Sequence, residues 1–221
     1  MSEEDRSKWD QRYAEDSHRK RAQPGEFITQ WIDRVTVGTA LDVACGLGQK
    51  SMFLAEAGFQ VDAIDVSATG LERASQQSKL QGLNINWIQH DLDEYYDLKQ
   101  KYDLIIVMWY VDLTLIRRLC EHLEPGGYLL CEEHLACDNE NGEFLGPKNA
   151  SFRVAPNALR EAVAGFDVCY YDEYVGKSES DQESGTHMIS RARLVVTNKR
   201  NWKIIISIYK GTLFNAGNER F

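Results

Sequence analysis

The chain has 221 residues, 43% of them hydrophobic, which is enough to bury the core of a single enzyme domain. Its formal net charge of −9 at pH 7 argues against a general attraction to nucleic acid or to an anionic membrane. The longest apolar run, 104–111, is too short to cross a bilayer and the amino-terminal MSEEDRSK is too polar for a secretory signal, so we expect a cytoplasmic protein.

Helices and strands are predicted to alternate in the first half of the chain. We expect helices at 5–14 and 24–35, then a strand at 39–44, a helix at 49–57 and a strand at 59–64. Gly58 is a favourable left-handed cap for the third helix. Ser67 or Thr69 caps the next helix, with Glu72 completing a capping box if the cap is Thr69, and this helix is expected to end at Gly82.

The alternation continues in the second half. We expect strands at 85–89 and 104–108, a helix at 112–123, a break at Pro125-Gly126-Gly127, and a strand at 128–132. A helix at 156–164 then precedes strands at 166–175 and 188–197, which a polar segment joins as a long hairpin. Strands separated by helices predict an α/β fold with a doubly wound, mostly parallel sheet, to which the hairpin adds an antiparallel strand.

The most informative stretch is LDVACGLG at 41–48, followed by VDAIDVS at 61–67. This order of strand, glycine turn, helix, second strand and terminal acid is typical of a nucleoside-binding βαβ unit. Gly46 and Gly48 lack Cβ atoms, so a ligand can approach the backbone N–H groups that begin the helix. Asp65 ends the second strand, where its carboxylate can accept hydrogen bonds from both hydroxyls of a ribose.

Other candidate residues lie at or just after the carboxyl ends of the predicted strands, where ligands bind in such sheets. Asp42, Asp91 and Met108 occupy these positions, although Asp91 by itself is equally compatible with a surface acid or a helix cap. His134 lies two residues beyond the predicted fifth strand, as either a catalytic base or a surface histidine.

Two aromatic pairs complete the candidate set. Trp9 and Tyr13 are four residues apart and share one face of the first helix, either to hold that helix on the domain or to cover a ligand. Trp109 and Tyr110 follow the fourth strand, where either one can pack in the core.

These motifs together resemble class I S-adenosylmethionine (SAM)-dependent methyltransferases, and in particular small bacterial enzymes of the tellurite-resistance and thiopurine-methyltransferase type. The resemblance includes Trp9 and Tyr13 as W-x-x-x-Y, the glycine turn, and GPKN at 146–149 followed by PNALREAV. It covers roughly Glu4 to Asn198 and implies a seven-stranded sheet. Gln49 and Lys50 depart from it, since Arg-Asn is common at these positions.

The resemblance also implies SAM as the cofactor and a small molecule as the methyl acceptor. It assigns Asp42 and the glycines to the methionine part of SAM, Asp65 to the ribose, and Asp91 with the backbone of Leu92 to the adenine. The expected cofactor-binding residues are Trp9, Asp42, Ala44, Gly46, Gly48, Asp65, Val66, Asp91, Leu92 and Met108. The expected catalytic residues are Tyr13, Tyr110 and His134, and no metal ligands are expected.

Two other functions are compatible with parts of the pattern. A nicotinamide-dependent oxidoreductase also has a glycine turn and a following acid, but the third glycine of G-x-G-x-x-G is absent here. A non-catalytic SAM-binding sensor or partner subunit would share every cofactor residue. Among methyltransferases, the lack of an Asn/Asp-Pro-Pro-Tyr segment disfavours a flipped nucleic-acid base as the acceptor. Sulfur, selenium, tellurium, oxygen and nitrogen acceptors all remain open, but the absence of an obvious acid–base pair beyond His134 favours a soft nucleophile such as a thiol or chalcogen oxyanion, methylated by in-line displacement.

The five cysteines form no C-x-x-C pair and show no metal-ligand spacing, which predicts reduced thiols without a structural metal. Cys45, Cys120, Cys131 and Cys169 are expected to be small buried side chains, because each lies in an apolar run or turn. Cys137 lies on a predicted loop, either as a plain thiol or as a reactive one.

One methyltransferase domain is expected at 1–198, with a helical lid region at 1–36. The remaining segment, 199–221, is a basic tail with five basic residues and one acidic residue. It is expected to be an edge strand or a frayed end. Truncation after Arg200 is therefore expected to keep SAM binding and most of the thermal stability. A large fall in melting temperature would instead place 204–208 in the core.

Overall fold

The computed structural model describes residues 3–15, 25–94, 96–137, 146–177 and 188–199. The tail beyond residue 199 lies outside this part of the chain, so its role stays a prediction. The helices are α1 (Glu3–Ala14), α2 (Glu26–Ile32), α3 (Gln49–Glu56), α4 (Ala68–Leu80), α5 (Leu113–Cys120) and α6 (Ala158–Ala162). The strands are β1 (Thr39–Val43), β2 (Gln60–Asp65), β3 (Ile85–Gln89), β4 (Tyr102–Met108), β5 (Leu123–Leu135), β6 (Arg153–Val154), β7 (Asp167–Lys177) and β8 (Met188–Thr197).

The strands form one sheet in the order β3-β2-β1-β4-β5-β8-β7, and the two-residue β6 pairs with the end of β5 on the edge opposite to β8, beyond the end of β4. All neighbours on the β3 to β5 side are parallel, whereas β8 runs antiparallel to both β5 and β7. The predicted doubly wound α/β sheet with an antiparallel strand from the final hairpin is confirmed. The short β6 is an addition that the sequence did not suggest.

Apolar residues fill both faces of this sheet, as expected for parallel strands covered by helices. One face packs against α5 and α6, with Ile105, Ile116 and Leu129 completely buried between them. The opposite face packs against α2 and α3, where Ile28 and Leu54 are buried. β1 and β4 are neighbours at the centre, so the segments that follow them lie side by side at the same edge of the sheet.

The predicted caps of the nucleoside-binding unit are confirmed in detail. Gly58 follows α3 with a φ of 95°, in the left-handed region that favours glycine. Ser67 caps α4, because its hydroxyl accepts a hydrogen bond from the N–H of Gly70 at 3.0 Å. Thr69, the alternative cap, lies inside the helix.

The prediction that Pro125-Gly126-Gly127 separates a helix from a strand was wrong. α5 ends at Cys120, and β5 begins at Leu123 and continues through this tripeptide. The strand continues through the tripeptide because its pairing with β4 shifts between Tyr102 and Leu104, so the additional residues of β5 form a bulge. A Cβ at Gly127 would lie 2.8 Å from the carbonyl oxygen of Tyr102, so the close approach of the two strands requires glycine there.

Burial of the cysteines is confirmed for three of the four residues expected inside. Cys45, Cys120 and Cys131 are buried, but Cys169 is exposed. Cys169 lies on the edge strand β7, where the register with β8 shifts between Val168 and Tyr170, so it is the unpaired residue of a bulge.

Among the described residues, no helix is long and apolar enough to cross a membrane.

Candidate active site

The glycine turn joins β1 to α3 through backbone conformations that glycine favours. Gly46 and Gly48 have φ values of 57° and 69°, and Ala44 also has a positive φ of 56°. Gly48 precedes the first residue of α3, and a Cβ there would lie 2.7 Å from Cζ3 of Trp87 and 3.0 Å from Cβ of Ala74. The turn therefore requires glycine at position 48 for two reasons, its conformation and its packing on β3 and α4.

Asp65 connects the glycine turn to the start of α4. Its Oδ2 accepts a hydrogen bond from the N–H of Gly46 at 2.8 Å, and its Oδ1 accepts one from the N–H of Ser67 at 2.9 Å. The residue is only 5% exposed, and burial raises the pKa of the carboxyl against the opposing effect of these backbone donors. Each oxygen retains a lone pair, so the carboxylate can also accept hydrogen bonds from a ligand.

Asp42 lies one residue before the end of β1 and is also buried. Its Oδ2 accepts a hydrogen bond from the hydroxyl of Ser51 at 2.6 Å. Burial raises the pKa of the carboxyl to about 6, with the positive charge of Lys50 and the Ser51 hydrogen bond opposing the rise. The negative charge of Asp42 is therefore present above about pH 6, and it faces the start of α3.

Asp91 and Leu92 follow β3, as predicted. The carboxylate of Asp91 accepts a hydrogen bond from the N–H of Asp93 at 3.1 Å, which is a turn-forming contact of the kind the sequence left open. Leu92 is buried in the core on the α5 face. Contact of either residue with an adenine ring stays a prediction.

The helix α1 covers the glycine turn and is held by polar contacts that the sequence did not reveal. The carboxylate of Asp10 accepts hydrogen bonds from the hydroxyl of Ser67 and from the N–H of Thr69 at the start of α4. The guanidinium of Arg73, also on α4, donates to the carbonyl of Tyr13. These contacts fix α1 across the carboxyl end of β2.

Tyr13 is the residue of α1 that lies directly on the turn. Cβ atoms built at Gly46 and Gly70 would lie 2.7 Å from its hydroxyl oxygen and 2.9 Å from its ring, respectively. Trp9 stacks on Tyr13, with ring centroids 5.5 Å apart and planes inclined by 26°. Burial raises the pKa of the Tyr13 phenol, so the hydroxyl stays protonated.

The segment after β4 brings the remaining candidates together. Trp109 has a positive φ of 67°, uncommon for a bulky residue, and its ring packs on His134 with centroids 4.3 Å apart. Tyr110 donates from its hydroxyl to Asp93 at 3.1 Å. The prediction that His134 follows β5 was wrong, because β5 extends to Leu135 and His134 is one of its paired residues.

Glu133 is a buried acid near this segment that sequence reasoning missed. It is 0% exposed, and its Oε1 accepts a hydrogen bond from the N–H of Tyr110 at 3.0 Å. Burial raises the pKa of the carboxyl well above its usual value, which favours its protonated form. Strand alternation in LLCEEHL places Glu133 on the same face as Cys131 and Leu135, a signal that was available in the sequence.

A cavity of about 270 Å³ lies beside these residues. Its lining combines the amino-terminal part of α2, the first turn of α3, the end of β4, and side chains of β5 and β8. The lining residues are Gly25, Glu26, Phe27, Ile28, Gln49, Lys50, Met108, Trp109, Glu132 and Arg193. Met108 is the only residue of the predicted cofactor set among them.

Comparison with known proteins shows similarity to methyltransferases. Residues 40–127 match the family model described as "Methyltransferase domain". The probable S-adenosyl-L-methionine-dependent methyltransferase TehB of Haemophilus influenzae is 23% identical over 167 residues, which cover 72% of this chain and 57% of TehB. A ubiquinone biosynthesis O-methyltransferase of Rickettsia canadensis is 32% identical over 107 residues, covering 46% of this chain and 45% of that protein.

Among solved structures, the crystal structure of TehB from Haemophilus influenzae superimposes with a TM-score of 0.65 at 22% identity. The match covers 78% of this chain and 61% of the TehB chain, and at this identity it shows a shared fold. The chain spans little more than half the length of the TehB relatives that it matches in sequence.

Proposed function

Since the chain belongs to the class I SAM-dependent methyltransferases of the TehB-like group, we propose that it transfers a methyl group from SAM to a small, soft nucleophile. The observation that carries this proposal is the convergence of Asp65, the glycine turn and Tyr13 at the ends of β1 and β2. A thiol or a chalcogen oxyanion is the acceptor class that we favour.

The side chains at this edge fit the cofactor. Asp65 would accept hydrogen bonds from the ribose hydroxyls, and the ionised carboxylate of Asp42 would attract the ammonium group of the methionine part. Gly46 and Gly48 let the ligand approach the backbone closely. The cofactor supplies an electrophilic methyl carbon: the acceptor's lone pair forms the new bond while the carbon–sulfur bond breaks and its electron pair stays on sulfur.

The helix α1 supplies the cover that such a reaction needs. Because Tyr13 lies over Gly46 and Gly70, cofactor entry requires this ring to rotate or α1 to lift from α4. Closure of Trp9 and Tyr13 over the bound cofactor would then exclude water from the methyl group. Holding nucleophile, methyl carbon and leaving sulfur in line can supply several kcal/mol.

The side chains around the cavity favour an acceptor that needs no strong base. His134 packs its ring on Trp109, and Glu133 is fully buried in an environment that disfavours its charged form, so we do not assign either as the base. A thiolate or a chalcogen oxyanion already carries the lone pair that attacks the methyl carbon. An oxygen or nitrogen acceptor would instead require removal of a proton.

The direct test has two parts. Calorimetry should show binding of SAM and of S-adenosylhomocysteine, whereas NAD should not bind. A screen of SAM consumption across small thiols, tellurite, selenite, amines and phenols should then show turnover with the sulfur or chalcogen compounds. Binding without turnover in the whole screen would favour the sensor function, and binding of NAD alone would favour an oxidoreductase.

We predict that Tyr13→Ala and Tyr110→Ala each lower kcat by more than about tenfold, because each removes part of the wall that positions the reactants. His134→Ala should lower kcat by less than about tenfold, because we do not expect His134 to act as the base. Loss of a general base would lower kcat by at least about a hundredfold. Steady-state kinetics with the best acceptor from the screen measure these changes.

Matched variants distinguish the effect of losing an aromatic ring from the effect of losing its polar group. Tyr110→Phe keeps the ring and loses only the hydrogen bond to Asp93, and His134→Phe keeps an aromatic partner for Trp109 without a titratable nitrogen. A pH–rate profile that follows the acceptor's own ionisation in wild type and His134→Phe agrees with the proposal. A loss of two orders of magnitude in His134→Phe, with a limb missing near neutrality, would instead identify His134 as the base.

A further inference from the structure

The cavity beside Met108 lies on the side of the site where the methyl acceptor is needed, and the inference below rests on the proposed function. In the sheet order β2, β1, β4, β5 and β8, Asp65 ends β2 and the glycine turn follows β1. A cofactor with its ribose on Asp65 and its methionine part on the turn therefore points toward β4. The cavity begins there, with Met108 and Trp109 on one side and the first turn of α3 on the other.

The size of the cavity limits the acceptor. Its volume of about 270 Å³ falls below the range of about 300–1,000 Å³ found for pockets that hold drug-sized ligands. Phe27 and Trp31 of α2 are buried, at 2% and 8% exposure, in the core on this face of the sheet, and Phe27 also lines the cavity. This volume favours a small acceptor over a drug-sized one.

Each charged side chain that lines the cavity, apart from Lys50, has a hydrogen-bond or ion-pair partner among the described residues. Arg193 and Glu132 form an ion pair at 2.6 Å with side chains only 8% and 12% exposed, and the guanidinium also lies 4.9 Å from the ring centre of Phe27. Glu26 accepts a hydrogen bond from Gln30 at 2.9 Å. Lys50 acts on Asp42 through its charge, but it makes no hydrogen bond or ion pair with any residue that the structure describes, so its three N–H donors are available to a ligand.

We propose that Lys50 makes this cavity selective for acceptors that carry a negative charge. Its ammonium binds the anionic group, which is either the attacking atom itself, as in a thiolate or chalcogen oxyanion, or a carboxylate beside it. A positive charge at this position also favours the ionised form of a bound thiol. This gives the acceptor its lone pair without a protein base.

Binding of probes in the absence of turnover tests the assignment. Selenite, 3-mercaptopropionate and uncharged 1-propanethiol are titrated calorimetrically into the full chain saturated with S-adenosylhomocysteine. The titrations are run at pH 8, above the pKa of about 6 that Asp42 has beside Lys50. The Lys50→Met variant removes the charge at nearly constant length, and Lys50→Arg restores it.

We expect both anions to bind the wild type about tenfold or more tightly than Lys50→Met, and Lys50→Arg to recover most of that difference. Affinity for S-adenosylhomocysteine should not change, and affinity for 1-propanethiol, which enters the cavity uncharged, should fall by less than the affinity for either anion. A response to selenite alone would identify the attacking oxyanion as the recognised group, and a response to 3-mercaptopropionate alone would identify the carboxylate.

Anion affinity that is the same in wild type and Lys50→Met overturns the assignment, as does a failure of both anions to bind wild type that binds S-adenosylhomocysteine. In either case the proposed methyltransferase function stands. Failure to bind S-adenosylhomocysteine at all would instead refute the proposed function, and the role of Lys50 with it.

Discussion

Asp65→Ala is expected to lower SAM affinity by at least about tenfold. Each hydrogen bond from a ribose hydroxyl to the carboxylate is worth roughly 1.5–3 kcal/mol, and a tenfold change in affinity corresponds to about 1.4 kcal/mol. The structure gives a second reason to expect weaker binding, because Asp65 also holds the glycine turn in its conformation. The N–H groups of Gly46 and Ser67 lose their acceptor, and each buried donor left without one costs about 1–3 kcal/mol.

Two measurements distinguish loss of the contact with SAM from a loss of stability in the glycine turn. Circular dichroism and thermal unfolding report the stability of the variant, and calorimetry on folded protein reports its affinity for SAM. Asp65→Asn keeps one acceptor oxygen, so we expect an affinity between those of wild type and Asp65→Ala. Glu72→Ala, on the exposed surface of α4, is the control and should bind SAM normally. Unchanged affinity in folded Asp65→Ala would refute the ribose assignment.

The region from β1 to α4 is predictable because its signals are local. A glycine turn, a short apolar strand and a serine cap act on neighbouring residues, so the sequence contains both partners of each interaction within a few positions. The pairing order of the strands follows from the handedness of each crossover. The exception is Trp87, 39 positions after Gly48, whose ring fixes the turn from the side of β3.

The parts that were missed depend on contacts between distant residues. α1 is anchored because Asp10 reaches residues 57 and 59 positions away on α4, and a single sequence gives no sign of this pairing. The bulge at Pro125 depends on β4, and the exposure of Cys169 depends on its position at the sheet edge. Glu133 differs from these, since its burial follows from the alternation of buried residues along β5, which is a local pattern.

Gly48→Ala is the second substitution with a large expected effect, and Gly82→Ala is its matched control. Both glycines have a φ near 70°, so an alanine at either position carries the same left-handed strain of roughly 1–2 kcal/mol. A Cβ at Gly82 meets nothing within 4 Å, whereas at Gly48 it meets Trp87 and Ala74. Overpacking of this kind costs typically about 1–3 kcal/mol more, because the rigid indole has only two rotatable bonds.

Thermal unfolding should therefore show a larger fall in melting temperature for Gly48→Ala than for Gly82→Ala, by about 2–4 °C for each kcal/mol in a chain of this size. SAM affinity should fall only in Gly48→Ala, since the added methyl group displaces the start of α3 from the glycine turn. In the Trp87→Leu background, the extra loss at Gly48 should shrink, and the double-mutant cycle measures this coupling. Equal losses at both glycines would mean that the indole moves aside, in which case packing on β3 does not hold the cofactor turn in place.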